Sequence, residues 1–233
     1  MSRALQAIVF DFDGVIANSE PMHLTAFQQT LADEGLELTA NDYYARYLGY
    51  DDVGMFEALG RDRGMTMSHE RVVTLVARKG EHMQALLQSG SVLFPGAIEF
   101  IREAASVVPI AIASGALRHE IDEIIDAAGV ADLFATIVAA GDTPESKPSP
   151  APYRLAFDQL RRRTGLDLDP RRSVAIEDSR WGLDSARGAG LRLVGVTSSY
   201  PAAELSGAEL VVEGLRSLTL PALDELCASE VRV

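Results

Sequence analysis

Seven residues in this sequence have types and positions that could support chemistry on a phosphate group. Each follows a short apolar run or lies in the loop beyond one, and they are Asp11, Asp13, Ser114, Gly115, Lys147, Glu177 and Asp178. Carboxylates that lie close together repel one another unless a cation is bound among them. Ligation by carboxylate oxygens and water is typical of Mg²⁺, so Asp11 and Asp178 are candidate metal ligands.

A carboxylate can also attack phosphorus and form an aspartyl phosphate, and Asp11, directly after its apolar run, is the candidate nucleophile. Asp13 stands two residues later, where an extended chain returns its side chain to the same side. A carboxyl group there could protonate a leaving oxygen and then deprotonate water. The Ser114 hydroxyl and the Lys147 ammonium could hold the phosphoryl oxygens, because phosphoryl transfer depends on positioning and charge neutralisation.

Short apolar runs come before most of these residues, and helical patterns lie between the runs. The runs cover residues 7–10, 108–113, 136–140, 173–176 and 193–196. Near-continuous apolar runs are typical of strands buried on both faces of a parallel sheet. The alternation of strands with helices predicts an α/β fold with a doubly wound parallel sheet. In such sheets ligands bind beyond the carboxyl ends of the strands, where the polar residues stand.

The interval from residue 14 to residue 95 departs from this alternation, because it contains helical patterns and no convincing strand. Residues that can start helices stand at Ser19, Thr39 and Ser68. We expect a separate helical domain over residues 16–92, inserted into an α/β core that is formed by residues 1–15 and 93–233.

The composition argues against several classes of function. The 34 acidic residues outnumber the 21 basic ones, and no basic stripe suggests a nucleic-acid partner. The single cysteine, Cys227, allows no intramolecular disulfide and fits a reducing compartment. No apolar run approaches the roughly 20 residues of a membrane helix, and the N-terminal run is too short for a signal peptide. We therefore expect a cytoplasmic protein that acts on a small molecule and binds neither nucleic acid nor membranes.

Four motifs in order resemble those of the haloacid dehalogenase superfamily. They are Asp11-Phe12-Asp13-Gly14-Val15 (DxDG[TV]), Ala113-Ser114-Gly115, Lys147-Pro148-Ser149-Pro150 and Glu177-Asp178-Ser179-Arg180-Trp181-Gly182 (EDSxxG). Together they cover nearly the whole chain. The helical insert directly after the first motif resembles the cap of the phosphoglycolate phosphatase and β-phosphoglucomutase branch. The resemblance implies a Rossmann-like core with an inserted helical cap.

The resemblance also implies roles for individual residues in a Mg²⁺-dependent phosphatase. Asp11 would be both nucleophile and metal ligand, and Asp13 would be the acid and base, with its backbone carbonyl on the metal. Asp178 would ligate the metal, and Glu177 would act through metal-bound water.

Further roles that the resemblance implies concern the substrate. Ser114, Gly115 and Lys147 would bind the phosphoryl group. His23, on the first helix of the insert, would contact the substrate, or else it is a structural histidine. Arg118, just after the second motif, is a further candidate for a substrate contact.

Other members of the superfamily offer alternative functions. Dehalogenases do not keep the second aspartate and phosphonatases replace it with alanine, so Asp13 disfavours both. A binding module that had lost catalysis would lack Asp11 or Asp13. β-Phosphoglucomutases carry basic residues in the cap loop and Ser-Lys beyond the second motif, where this chain has residues 48–52 and Ala116-Leu117.

A mutase needs a second phosphate site, so the missing cations favour hydrolysis of a small phosphomonoester, such as a sugar, polyol or small-acid phosphate. The acidic loop 50–52 disfavours a second anionic group on the substrate. A neutral sugar or polyol phosphate is therefore expected in preference to phosphoglycolate, with a phosphosugar mutase as the alternative.

Overall fold

The computed structural model describes residues 3–48, 50–87 and 92–229, and the chain forms two compact units. One unit comprises Met1–Asn18 and Leu93–Val233, and the other comprises Ser19–Val92. The chain passes from the first unit to the helical unit after Asn18. The sequence analysis had placed this boundary after residue 15. The intervening residues belong to the first unit, where the Phe94 N–H donates to the Ile16 carbonyl at 3.0 Å.

Six parallel strands form the sheet of the first unit. They are β1 Ala7–Phe10, β2 Ile110–Ala113, β3 Phe134–Val138, β4 Ser173–Glu177, β5 Arg192–Val196 and β6 Leu210–Val212. Their order in the sheet is β3-β2-β1-β4-β5-β6, so the direction of winding reverses at β1. The fold predicted from the apolar runs, a doubly wound parallel sheet, is confirmed. The edge strand β6 was not predicted, because three half-buried residues make too short an apolar run to stand out.

The described residues of the unit Ser19–Val92 form helices joined by turns and irregular segments. Its helices are α1 Glu20–Ala32, α2 Ala40–Asp42, α3 Asp52–Asp62 and α4 His69–Leu87, with a π-helical turn at Tyr43–Tyr47. The predicted start at Thr39 is a true N-cap, since its hydroxyl accepts the Asp42 N–H at 3.0 Å. A buried apolar cluster that includes Phe27, Phe56 and Leu59 fills the space between the helices.

Five more helices connect and cover the strands of the first unit. They are α5 Ala97–Ala105, α6 Arg118–Ala127, α7 Ala151–Thr164, α8 Arg180–Gly188 and α9 Leu220–Ala228. Single 3₁₀ turns occupy 131–133, 170–172, 202–205 and 215–217. The apolar face of α7 packs with α8 on strands β1, β2 and β4, and Tyr153 is fully buried there. None of the helices in the described ranges has the length and hydropathy that crossing a bilayer requires.

A buried arginine in β5 connects two distant parts of this unit. The Arg192 side chain is 4% exposed, and its guanidinium contacts the Glu209 carboxylate at 2.7 Å. It also donates to the Ser229 carbonyl at 2.9 Å, at the end of α9. A charge this deeply buried is stable only while its partners remain in place.

We expect Arg192→Ala to lower the free energy of unfolding by about 3 kcal/mol, because it leaves Glu209 and the end of α9 without their cation. The matched control is Arg171→Ala, which removes an ion pair from an arginine that is 74% exposed. Chemical denaturation of the two variants measures the difference. Equal stabilities would show that the buried contact contributes no more than a surface ion pair.

Candidate active site

The carboxyl ends of β1 and β4 bring the first and fourth motifs together. Phe10 pairs with Ile176 in the sheet, and the Asp11 N–H donates to the Ile176 carbonyl at 2.9 Å. Asp11 and Glu177 each directly follow one of these paired residues, so they lie side by side on adjacent strands. Lys147 joins them, because its Nζ lies 2.8 Å from Asp11 Oδ1 and 2.6 Å from Glu177 Oε1.

Three buried carboxylates lie at this edge of the sheet. Within the part of the chain that the structure describes, Asp11, Glu177 and Asp178 form the group whose potential ligand atoms all lie within 4.8 Å of one another. When all three are ionised, they carry more negative charge than the single Lys147 ammonium can neutralise. An all-oxygen set with unbalanced negative charge fits a hard divalent cation.

Burial and mutual repulsion determine the proton affinities of these groups. Burial, followed by repulsion from Glu177, raises the pKa of Asp11 from its ordinary value of 3.8 to about 7, against the opposing effect of Lys147. Burial and the charges of Glu177 and Asp11 also raise the pKa of Asp178 well above its ordinary value. Burial opposes the charge of Lys147, but Asp11 and Glu177 outweigh it and raise the pKa of this ammonium group.

Glu177 is held on both of its oxygens. The Tyr153 hydroxyl, from α7, donates to Oε1 at 3.0 Å. Oε2 accepts the backbone N–H groups of Asp178 at 3.1 Å and Ser179 at 3.2 Å, and the Ser179 hydroxyl at 3.1 Å. A Cβ on Gly182 would lie 1.7 Å from Glu177 Oε1, so the close approach of α8 requires glycine. Tyr153 is outside the four motifs and gave no signal in the sequence.

The turn after β1 lies directly against Asp178. Gly14 adopts a φ of +76°, and a Cβ there would lie 1.8 Å from Asp178 Oδ2. The Ser199 hydroxyl donates to the same oxygen, and the Ser198 hydroxyl donates to the Gly14 carbonyl. The sequence analysis missed both serines, because they follow β5 in a segment that matches none of the motifs.

Asp13, Ser114 and Gly115 follow β1 and β2 at the same edge of the sheet. Their predicted roles in catalysis and phosphate binding stay predictions. Asp13 is half-buried and forms an isolated parallel bridge with Ala17. Its carboxylate is not part of the group of three, and its predicted role as acid and base stays a prediction. Ser114 is buried at the end of β2, where its hydroxyl accepts the Ala116 N–H at 3.0 Å. Gly115 is exposed, and a Cβ there would meet no atom within 4 Å.

His23 belongs to a buried charged network within the helical unit. Its Nδ1 lies 2.8 Å from Lys79 Nζ, which in turn lies 3.1 Å from Asp52 Oδ2. Lys79 is completely buried. Burial and the Lys79 charge lower the pKa of His23 well below its ordinary value, so the ring is neutral. A substrate contact by His23 stays a prediction.

The same network changes the interpretation of the acidic loop. The charge of Asp52 is compensated by Lys79, and Asp51 accepts the Gly54 N–H at 2.7 Å as the N-cap of α3. Asp52 therefore no longer contributes a free negative charge to the expectation that this loop repels a second anionic group. Arg118, the further candidate for a substrate contact, pairs with Asp122 at 2.9 Å on the exposed side of α6.

Asp11 directly after β1, Lys147 beside it, and Glu177 and Asp178 at the end of the adjacent strand β4 form the arrangement expected of the superfamily that the four motifs resemble. The chain belongs to the haloacid dehalogenase-like hydrolases, whose family model matches residues 8–196. The resemblance inferred from the four motifs is thus confirmed.

Individual relatives resemble the chain over nearly its whole length. It is 34% identical to protein CbbY of Rhodobacter capsulatus, over 95% of this chain and 99% of that protein. It is 28% identical to the phosphoglycolate phosphatase of Pectobacterium atrosepticum, over 90% of this chain and 89% of that protein.

Solved structures show the same fold. CbbY from Rhodobacter sphaeroides in complex with phosphate is 29% identical with a TM-score of 0.84, over 94% of this chain and 99% of that chain. A variant of that protein has been solved in complex with xylulose-(1,5)bisphosphate. β-Phosphoglucomutase from Clostridium difficile, at 22% identity and a TM-score of 0.83 over 96% of this chain and 97% of that chain, shares the fold.

We expect the metal-free protein to become less stable as the pH rises from 5 to 8. The pKa of Asp11 is about 7 in the folded state and near 3.8 in the unfolded state. Its contribution to stability is therefore fully present below pH about 4 and is lost as the pH rises through 7. Thermal unfolding in EDTA should show the wild-type midpoint falling by roughly 5 °C more than that of Asp11→Asn.

A wild-type midpoint that falls no more steeply than that of Asp11→Asn would contradict the raised pKa of Asp11. Asp132→Asn, which changes an exposed aspartate outside the site, is the control for the general loss of one negative charge.

Proposed function

We propose that this protein is a Mg²⁺-dependent phosphatase that hydrolyses a small phosphate ester through an aspartyl phosphate on Asp11. The observation that carries the proposal is the contact of Asp11 with Lys147 inside a group of three buried carboxylates. A lone buried carboxylate would be protonated and a poor nucleophile. Lys147 favours the ionised form of Asp11 and supplies a positive charge where a phosphoryl group would sit.

The contacts of Asp11 assign different tasks to its two oxygens. Oδ1 accepts the Phe12 N–H at 2.7 Å and lies 2.8 Å from Lys147 Nζ. We assign the attack on phosphorus to Oδ2, with the carboxylate plane held by the contacts on Oδ1. Asp13 is proposed to give its proton to the departing alcohol and then to take one from the water that cleaves the aspartyl phosphate.

The metal would be held by Asp11 and Asp178, with Glu177 beside them. Mg²⁺, when bound, supplies positive charge that polarises the phosphoryl group and offsets the charge that develops during its transfer. Glu177 already receives hydrogen bonds from Tyr153, Lys147 and backbone N–H groups. We therefore propose that Glu177 acts through a metal-bound water, and that its main effect is to hold Lys147 in place.

The relatives support a small phosphorylated carbon compound as the substrate. The CbbY structure with xylulose-(1,5)bisphosphate and the phosphoglycolate phosphatase relative both point to substrates with a second anionic group. The Asp52 charge, which argued against such a group, is paired with Lys79. We propose that the substrate is a sugar phosphate or a small-acid phosphate, with sugar bisphosphates first in order of testing.

We expect phosphate release from one or a few members of a panel of phosphate esters, and only in the presence of Mg²⁺. The panel comprises xylulose 1,5-bisphosphate, phosphoglycolate, simple sugar and polyol phosphates, and β-glucose 1-phosphate. Each is assayed with Mg²⁺ and with EDTA, and glucose 6-phosphate is measured in parallel. Formation of glucose 6-phosphate without release of phosphate would replace the phosphatase by a mutase.

We expect Asp11→Asn to reduce kcat by roughly a thousandfold or more, because an amide oxygen cannot form the aspartyl phosphate. Asp132→Asn should leave kcat unchanged, since this residue lies at the surface away from the site. Circular dichroism establishes that both variants fold. Turnover within a few-fold of wild type in a folded Asp11→Asn variant would rule out Asp11 as the nucleophile.

A further inference from the structure

Three consecutive residues after β5 each contact a different part of the candidate active site. The Ser198 hydroxyl donates to the Gly14 carbonyl, and the Ser199 hydroxyl donates to Asp178 Oδ2. The Tyr200 ring packs edge-on against Trp181, with the ring centroids 6.0 Å apart. We refer to residues 198–200 as the β5 loop. It lies outside all four motifs, yet it reaches the turn after β1, the Asp178 carboxylate and the start of α8.

The Asp178 carboxylate is enclosed at Oδ2. A Cβ on Gly14 would lie 1.8 Å from this oxygen and 3.0 Å from Ser199 Oγ, so the turn, the carboxylate and the serine are in close contact. Rotation of the carboxylate would break the hydrogen bond from Ser199 or bring an oxygen against the backbone of Gly14. Holding Oδ2 therefore fixes the carboxylate plane and, with it, the direction of the other oxygen.

The Asp178 carboxylate receives its hydrogen bond from Ser199, whereas Lys147 contacts the two other carboxylates. The Lys147 ammonium lies beside the carboxylates, and its contacts are with Asp11 at 2.8 Å and Glu177 at 2.6 Å. Asp178 is only 7% exposed, so water is a poor substitute for a protein donor. Partners of this kind, which hydrogen-bond to metal-ligating carboxylates, orient them and tune their affinity for the metal.

We propose that Ser199 is a positioning residue that holds the Asp178 carboxylate in the orientation in which it binds the divalent cation. Ser198 and Tyr200 fix the loop that carries it, one by a hydrogen bond to the turn after β1 and the other by packing on α8. Ser199 itself contacts neither substrate nor phosphate in this scheme. The inference rests on the proposed metal site and adds to it a residue that acts through Asp178.

The chain contains a natural reporter for the test. Trp181 is its single tryptophan, lies three residues after Asp178 and contacts Tyr200 of the β5 loop. Titration of the full-length protein with Mg²⁺ can be followed by the fluorescence of Trp181 and, independently, by calorimetry. Neither readout requires the substrate to be known.

We expect Ser199→Ala to raise the Kd for Mg²⁺ by about tenfold to a hundredfold, the range found for such partners of metal ligands. Turnover should fall at low Mg²⁺ and recover at saturating Mg²⁺, because the chemical groups are unchanged. Ser199→Thr keeps the hydroxyl and should restore the affinity to within a few-fold of wild type. Ser206→Ala, at an exposed serine further along the same connection, is the matched control and should bind Mg²⁺ as wild type does.

Wild-type affinity for Mg²⁺ in Ser199→Ala would overturn the role of Ser199 and leave the proposed metal site standing. Absence of Mg²⁺ binding in the wild-type protein would overturn the metal site and this inference with it. If Ser199→Ala fails to fold, Ser199→Cys is the second variant, because its thiol is a weaker donor of similar size. An intermediate loss of affinity is then expected, and wild-type affinity in Ser199→Cys would contradict the inference.

Discussion

The accumulation of negative charge where β1 and β4 end is the constraint on which the rest of this site depends. Asp11, Glu177 and Asp178 are buried within 4.8 Å of one another, and Lys147 brings one positive charge to the three. Burial raises the proton affinity of carboxylates, so carboxylates that stay ionised here require donors and cations around them. The lysine, the Tyr153 hydroxyl and backbone N–H groups meet this requirement in part, and the proposed divalent cation would complete it.

The fold provides that environment through its strand order and through glycines. The sheet reverses its winding direction at β1, and in sheets of this kind ligands bind at such a reversal point. Gly14 and Gly182 allow the backbone to approach the Asp178 and Glu177 carboxylates more closely than any side chain would permit. Close approach lets backbone and hydroxyl donors fix these carboxylates in advance. This would reduce the entropic cost of ordering them when the proposed metal binds.

The helical unit contains a second charged network, in which the positive charge of a buried lysine is compensated by a carboxylate. Lys79 is completely buried and contacts His23 and Asp52, so its charge is compensated inside the unit. The neutral imidazole of His23 can donate a hydrogen bond from Nε2, the nitrogen that does not face Lys79. Asp52 of the loop is paired with Lys79, so the loop presents less negative charge than the sequence suggests, while Asp51 caps α3.

The sequence by itself determined the strands β1 to β5, the helical insert and the motif residues Asp11, Lys147 and Asp178, because each depends on local spacing or on a short run of residues. Only the tertiary structure decided which side chains support them. Ser199 reaches Asp178 across 21 residues, and Tyr153 reaches Glu177 across 24. No local pattern encodes such contacts, since they arise where separate strands and helices meet. The pairing of Lys79 with Asp52 is a contact of the same kind, and it compensates the negative charge of Asp52 in the acidic loop.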